Sequence, residues 1–198
     1  MASDAEKPFD VEERQRLVRD GVKRSTDTTN LAHRRLVGAM ADAGTTTTPN
    51  HTALVTDVWT IVDSSNRLRL LIDIMPGLKK KAPPNEVLRR QLKAVEEFRH
   101  YVQHLDKEIL GIEEGRVMTA FGTISWIVSS GPKDLAVVTA IPGSLAKGLS
   151  APVVNPAGKT IRPPIDHIEL AISEGRLAIS ELVRAIEKWV PWFESETT

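Results

Sequence analysis

The stretch HTALVTDVWTIVDSSNRLRLLIDIM, residues 51–75, decides the fold because it combines a strongly apolar composition with a helical period. Its apolar side chains recur at intervals of three, four and seven residues, which places them on one face of an α-helix. They are Leu54, Val58, Ile61, Leu68, Ile72 and Met75, and Val55, Trp59 and Val62 widen the same face. The pattern predicts a helix over about residues 49–75 that lies at the centre of the core.

Helical periodicity continues on both sides of this segment. Apolar residues at helical spacing predict a first helix over about residues 11–43, with a kink or break at the polar run STDTTN, residues 25–30. Further periodic segments predict a third helix over about residues 85–110 and a last helix over about residues 164–190. We expect these helices to pack antiparallel as the core of a single domain over residues 1–198.

The pattern changes between the third helix and the last one. RVMTAFGTISWIV, residues 116–128, alternates apolar and polar positions, and LAVVTAI, residues 135–141, is rich in β-branched residues, so the two predict a β-hairpin. The proline-bounded run at residues 152–163 predicts a second, shorter hairpin. The predicted fold class is therefore mainly α: an antiparallel bundle of three to four long helices, with a small β insertion at about residues 116–162 before the last helix.

Composition excludes several classes of function. The chain of 198 residues has 26 basic and 26 acidic side chains, so its net charge favours no class of charged partner. It has no cysteine, which excludes disulfides, thiolate metal ligands and a cysteine nucleophile. The N-terminal MASDAEKPFDVEERQRL has no apolar signal region, and no segment reaches the roughly 20 apolar residues of a membrane span. These features predict a cytoplasmic protein that does not enter a membrane.

The third predicted helix contains a concentration of groups suited to chemistry, in EEFRHYVQHLDKEI, residues 96–109. His100 and His104 are one helical turn apart, so their imidazoles lie on the same side. Arg99 precedes His104 by five residues, so the two side chains point about 140° apart and cannot meet at one small site within a single helix. A two-fold axis near this helix would bring Arg99 of one chain beside His104 of another, which predicts a homodimer.

The segment FRHYVQHLDKEI, residues 98–109, resembles the signature of HEPN-type proteins. These are helical bundle domains of many prokaryotic toxins and phage-defence ribonucleases, in which an arginine precedes a histidine on a core helix. Arg99 matches the arginine, His100 the polar position after it, and His104 the histidine. The resemblance covers the helical part of the chain only, because a minimal domain of this family does not need the β insertion.

The resemblance implies metal-independent cleavage of RNA at a dimer interface, with no cofactor. In that reaction His104 would be the general acid or base, Arg99 would contact the scissile phosphate, and His100 would be a second polar group in the site. Histidine and arginine suit these roles, because an imidazole can exchange protons near neutral pH and a guanidinium offsets phosphate charge. Asp57 and Asp63 are candidates for a supporting carboxylate. Toxins of this type imply a partner protein such as an antitoxin.

A local excess of basic residues lies before and within the third helix. Between residues 67 and 90, seven side chains are basic and two are acidic. Such a patch can hold the phosphates of RNA, although lysine-rich linkers are also common as solvated loops. The candidate RNA-binding residues are Lys79, Lys80, Lys81, Arg89 and Arg90.

Three other interpretations remain open from the sequence. Residues 96–109 can be a charged helix face whose side chains pair with one another. Glu97 and His100 have the E-x-x-H spacing of carboxylate-bridged metal sites, but the chain has no second E-x-x-H, so no metal site is predicted. The third interpretation is a non-catalytic helical interaction or regulatory module. An aromatic cluster near the C-terminus would supply the interface anchors of such a module, unless it belongs to the core. Its residues are Trp189, Trp192 and Phe193.

Overall fold

The computed structural model describes residues 10–43, 50–110, 119–131, 134–144, 151–172 and 175–197. Four long helices and a small sheet make up the described chain. The helices are α1 (Val11–Ala43), α2 (His51–Ile74), α3 (Pro83–Gln103) and α5 (Ile179–Thr197), with a short α4 (Leu105–Leu110) after α3. The strands are β1 (Thr123–Gly131), β2 (Asp134–Ala140), β3 (Ile165–Ile172) and β4 (Gly175–Ala178). The mainly helical class is confirmed.

The predicted helix over residues 49–75 is confirmed as α2, which lies in the middle of the core. Every one of its periodic residues from Leu54 to Ile72 is fully buried or nearly so. Helix α1 packs along α2, α2 also packs against α3, and α3 packs against α5. The helix begins at His51 because the side chain of Asn50 accepts a hydrogen bond from the backbone N–H of Ala53, 3.1 Å away. Residue 49 lies outside the described residues.

Helix α1 runs without interruption through residues 25–30, so it has no break at this polar run. The hydroxyl of Thr29 donates to the carbonyl of Ser25 and also lies 2.7 Å from the hydroxyl of Ser64 on α2. Thr26 bonds to the carbonyl of Lys23 in the same way. Because these hydroxyls are satisfied on the helix itself and against α2, the polar run does not need to leave the helix.

The sheet is antiparallel throughout, with the strand order β2-β1-β3-β4. The hairpin predicted from residues 116–128 and 135–141 is confirmed as β1 and β2 in the described part of those ranges. One face of the sheet joins the helical core, and Ile124, Trp126 and Leu170 lie on that face. Helix α5 packs against β3, and α3 packs against β4.

The helix predicted over residues 164–190 is wrong in its first half. Residues 165–172 and 175–178 are β3 and β4, and the last helix begins only at Ile179. The pairing of β1 with β3 shifts register between Ser125 and Ile127, and opposite this shift His167 has a φ of 49°. This bulge breaks the two-residue alternation of the strand, so that partly buried Ile165 and buried Ile168 are three residues apart, as in a helix.

Two further boundaries differ from the prediction. No strand occurs among residues 151–164, so the second hairpin predicted over residues 152–163 is wrong. This segment lies against the sheet instead, where the N–H of Val154 donates to the hydroxyl of Ser125 at 3.1 Å. The third helix, predicted to reach residue 110, ends at Gln103 as α3. His104 then leaves the helical conformation with φ −119° and ψ 25° before α4 begins.

Candidate functional site

The charged side of α3 is attached to α2 by ion pairs that cross between the helices. The sequence alone left open whether these charges pair within α3, and the structure pairs them with side chains of α2. This arrangement orients the arginine of the motif relative to the preceding helix. The three pairs are Arg89–Asp73 at 2.9 Å, Arg69–Glu96 at 3.2 Å and Arg99–Asp63 at 3.3 Å.

Arg99 lies at the solvent boundary, held by one carboxylate. Its side chain is 35% exposed and that of Asp63 is 45% exposed, so the guanidinium keeps access to solvent. Of the two acidic residues on α2 that the sequence offered as support for the site, Asp63 contacts Arg99. The other, Asp57, is buried and pairs instead with Arg35 on α1 at 3.1 Å.

The two histidines of the motif lie side by side at the C-terminal end of α3. The ring centroids of His100 and His104 are 4.3 Å apart in an edge-to-face arrangement. The backbone N–H of His104 donates to the carbonyl of His100 at 3.1 Å, which fixes the end of the helix. His100 is exposed and His104 is half-buried, so one imidazole edge of the pair faces solvent.

Tyr101, between the two histidines, anchors this end of α3. It is buried, and its hydroxyl donates to the carbonyl of Thr119 at 2.9 Å. Burial raises the pKa of Tyr101 above its usual value of 10.0, and the nearby carboxylate of Glu108 raises it further. Tyr101 is therefore a neutral hydrogen-bond donor that connects the histidine-bearing turn to the start of β1.

Arg99 and the two histidines of the motif have separate partners. Among the described residues, the guanidinium of Arg99 pairs with Asp63, and the ring of His100 contacts that of His104. The structure thus brings together Arg99 with Asp63, and His100 with His104. A single chain does not place the arginine and both imidazoles around one atom, in agreement with the directions calculated from helical geometry.

Four of the five candidate RNA-binding residues line one depression at the start of α3. They are Lys80, Lys81, Arg89 and Arg90, with Glu86 among them. Lys79 points elsewhere, because its ammonium pairs with Glu196 on α5 at 2.8 Å. Nine residues separate Arg90 from Arg99, which places the depression about 14 Å along the helix from the motif.

The aromatic cluster near the C-terminus belongs mainly to the core. Trp189 and Phe193 are buried and stack with ring centroids 4.7 Å apart. Trp192 is half-buried and packs against the same cluster, with its ring 6.3 Å from that of Trp189. This placement favours the core role that the sequence left open for these residues over the role of interface anchors.

Exposed apolar side chains flank the histidine pair, a feature that the sequence reading did not identify. Val102 is 36% exposed, Ile109 is 43% exposed and Leu110 is 86% exposed. Helix α4 has no buried residue within the described chain. Val102 and Ile109 fit the helical period of residues 85–110, but α3 ends at Gln103 and α4 has no buried residue, so only the structure reveals this patch.

A second polar cluster lies at the bulge of β3 and was also missed. The carboxylate of Asp166 is buried and accepts the backbone N–H groups of Arg162 at 2.9 Å and of His167 at 2.7 Å, and it pairs with Arg184 on α5. The ring of His167 lies 3.0 Å from the carbonyl of Thr160. These contacts hold residues 160–167 against α5, so the cluster is an anchor for the strand.

The described residues show neither a metal-binding group nor a membrane-spanning helix. Residues 10–43, 50–110, 119–131, 134–144, 151–172 and 175–197 contain no group of three or more metal-ligating side chains. In the same part of the chain, no helix is long and apolar enough to cross a membrane. No described side chain therefore joins Glu97 and His100, which have the E-x-x-H spacing, to form a metal site.

The chain was also compared with known proteins. No protein-family model, curated protein or solved structure matches it.

Proposed function

We propose that this chain is a HEPN-like, metal-independent endoribonuclease that acts as a homodimer. The observation that carries the proposal is the pair of imidazoles 4.3 Å apart at the end of α3, on the same helix as Arg99, which pairs with Asp63. These are the residue types needed to cleave RNA without a metal, and all three retain access to solvent. The helical bundle of that family is the corresponding fold proposal.

In the proposed reaction, the 2′-hydroxyl of a ribose attacks the adjacent phosphorus and the 5′-oxygen leaves. One imidazole takes the proton of the 2′-hydroxyl, another protonates the 5′-oxygen, and the products carry 2′,3′-cyclic phosphate and 5′-hydroxyl ends. Arg99 contacts the non-bridging oxygens and offsets the charge that develops on them. His104 is the acid or base, and His100 is a second polar group of the site.

The geometry of this reaction calls for a second chain. In an in-line displacement the attacking and leaving oxygens lie on opposite sides of the phosphorus. Two imidazoles 4.3 Å apart on one helix face approach from the same side, so they cannot serve as base and acid at both oxygens. A two-fold axis near α3 would supply the second imidazole from another subunit. The exposed side chains of Val102, Ile109 and Leu110 would become buried there.

The basic depression at the start of α3 supports RNA as the substrate. Lys80, Lys81 and Arg90 present cationic groups that attract the phosphates of a nucleic acid. The depression lies on the same helix as the motif, so a single strand that binds it could continue toward His100. A cytoplasmic ribonuclease of the toxin or phage-defence type would need control by a partner such as an antitoxin.

A non-catalytic interaction module is the second candidate function, and one observation favours it. Two of the three ion pairs between α2 and α3 neutralise charges within residues 96–109, those of Glu96 and Arg99. In this interpretation Arg99 and Glu96 orient α3, and the histidines are surface residues. The cleavage experiment below separates the two candidates.

The proposal is tested by incubating purified protein in EDTA with a mixed pool of single-stranded and structured RNAs. Wild type is compared with His104→Ala and Arg99→Ala. We expect wild type to leave 2′,3′-cyclic phosphate ends and each variant to cleave about 10²-fold more slowly or worse, because each loses proton transfer or charge stabilisation.

Matched controls in the same assay are His51→Ala and Arg34→Ala, which remove an exposed imidazole and an exposed guanidinium away from the motif. Both controls should cleave like wild type. Absence of cleavage by wild type, or equal cleavage by all five proteins, would contradict the proposal and favour the interaction module.

A further inference from the structure

Strand β2 forms one edge of the sheet and is unusually apolar for that position. Among the described residues, β2 pairs only with β1, so its outer edge has no partner strand. From Leu135 to Ala140 the strand carries no charge. Leu135 is 43% exposed and Val137 is 38% exposed on the face directed away from the helices.

The unpaired backbone groups of such an edge can bind another strand. Alternate residues of an edge strand direct their N–H and C=O groups outward, where they form a template for another strand. Proteins usually block this pairing with lysine, proline or a bulge within the edge strand. Residues 135–140 contain no lysine and no proline, and the register of β2 against β1 is regular from Leu135 to Ala140.

We infer that β2 is a self-association surface, at which β2 of a second copy of this chain pairs antiparallel to form a continuous eight-stranded sheet. A two-fold axis at Val137, the central residue of the strand, gives the longest pairing. It places Leu135 opposite Thr139 and Asp134 opposite Ala140 of the other copy.

The composition of β2 favours a second copy over an unrelated peptide. In the register centred on Val137, the lone charge of the strand, Asp134, faces an alanine, so two carboxylates never oppose each other. The exposed Val137 lies opposite its symmetry mate, and Leu135 is on the same face of the joined sheet, opposite Thr139 of the other copy. The strand can thus pair with itself through backbone hydrogen bonds without opposing like charges, and its exposed apolar side chains then share one face.

This inference does not rest on the proposed function, because β2 contains none of the proposed catalytic residues. If a two-fold axis at α3 also exists, each chain contacts two others, and the closed assembly is a tetramer. Disrupting β2 pairing then halves the assembly and leaves the α3 pair intact. Loss of association and loss of RNA cleavage are therefore separate outcomes.

The experiment uses the absence of cysteine in the chain, which makes a single introduced thiol specific. Val137→Cys places one thiol on the proposed axis. Directly paired residues of antiparallel strands have Cα atoms about 4.5 to 5.5 Å apart, within the range that a disulfide bridges. Leu135→Cys is the matched control, since its symmetry mate lies about 14 Å away along the strand.

Under oxidised glutathione, we expect Val137→Cys to run mainly as a covalent dimer on a non-reducing gel and Leu135→Cys to stay largely monomeric. We also expect Val137→Lys to halve the mass measured by sedimentation without changing the far-ultraviolet circular dichroism spectrum. Equal crosslinking of the two cysteine variants, no crosslinking of Val137→Cys, or an unchanged mass for Val137→Lys would overturn the inference.

Discussion

Individual carboxylates on α2 show that sequence position does not define a residue's role. Asp57 and Asp63 are equivalent candidates in the sequence, six residues apart on the same helix. The structure makes Asp63 the half-exposed partner of Arg99, whereas the side chain of Asp57 is 3% exposed and faces α1. The identity of the motif residues was readable from their spacing, but the pairing of Arg99 with Asp63 depends on how α2 and α3 are placed side by side.

The burial of Asp57 leads to a prediction about pH. Burial raises the pKa of Asp57, and the attraction of Arg35 only partly offsets this effect. A raised pKa means that Asp57 binds its proton more tightly in the folded chain. Its contribution to stability is therefore fully present below the unfolded value of about 3.9 and is lost as pH rises through the folded value. Asp57→Asn should remove this fall and raise the free energy of unfolding at pH 7.

Urea unfolding of wild type and Asp57→Asn at a series of pH values from 4 to 7 checks this prediction. The advantage of the variant should grow with pH, because the groups that both proteins share cancel in the difference. Asp63→Asn is the control, and loss of that exposed ion pair should cost only about 0.2 to 1 kcal/mol. A variant less stable than wild type at pH 7 would show that the pair with Arg35 outweighs the cost of burial.

At the scale of elements, the long helices were predictable and the strands after residue 160 were not. Helices α1 and α2 follow local apolar periods, so their existence and most of their length follow from the chain alone. The bulge at His167 hides the alternation of β3, and the break at His104 lies within an unbroken helical pattern. The bulge and the break both depend on backbone conformations of histidines that cannot be predicted from the residue type.

Turns before the sheet provide a test of local backbone constraint. Gly122 has a φ of 75°, and a Cβ atom there would lie 2.7 Å from the carbonyl oxygen of Ala171 on β3. Gly122→Ala should therefore lower the free energy of unfolding by about 1 to 2 kcal/mol, because alanine is strained in the left-handed region. In addition, its Cβ atom should force β1 and β3 apart. We expect a lower midpoint in thermal unfolding together with weakened pairing between the strands.

Gly158→Ala separates the two contributions. Gly158 has a similar φ of 71° but no atom within 4 Å of the position of a Cβ. Gly158→Ala should therefore be destabilised only by the strained backbone conformation, so its thermal midpoint should fall less than that of Gly122→Ala. Equal losses in the two variants would mean that β3 moves away without cost.

At the scale of the whole molecule, α5 completes the core between the helices and the sheet. It packs against α3 and β3, and its aromatic residues Trp189 and Phe193 belong to the buried core. The sequence showed the cluster of Trp189, Trp192 and Phe193 but could not show which face of α5 it occupied. The arrangement makes most of this cluster a determinant of stability.

Truncation of the cluster should therefore affect folding unequally. Trp189 is 1% exposed, so Trp189→Ala should lower the free energy of unfolding by about 3 to 5 kcal/mol, through lost burial and a cavity. Trp192→Ala, at a half-buried position, should cost clearly less. Denaturant unfolding of the two variants measures the difference. Similar small losses in both would instead identify the cluster as an exposed surface.

The sequence by itself determined the helical class, the hairpin of β1 and β2, and the motif of Arg99, His100 and His104, because each is a pattern within a short stretch of chain. Only the tertiary structure decided that residues 165–172 and 175–178 join the sheet, that Asp63 is the partner of Arg99, and that β2 is an edge strand among the described residues. These features depend on which distant segments become neighbours. Pairing between strands and contacts between helices are set by burial and hydrogen bonding across the whole molecule, which no local period encodes.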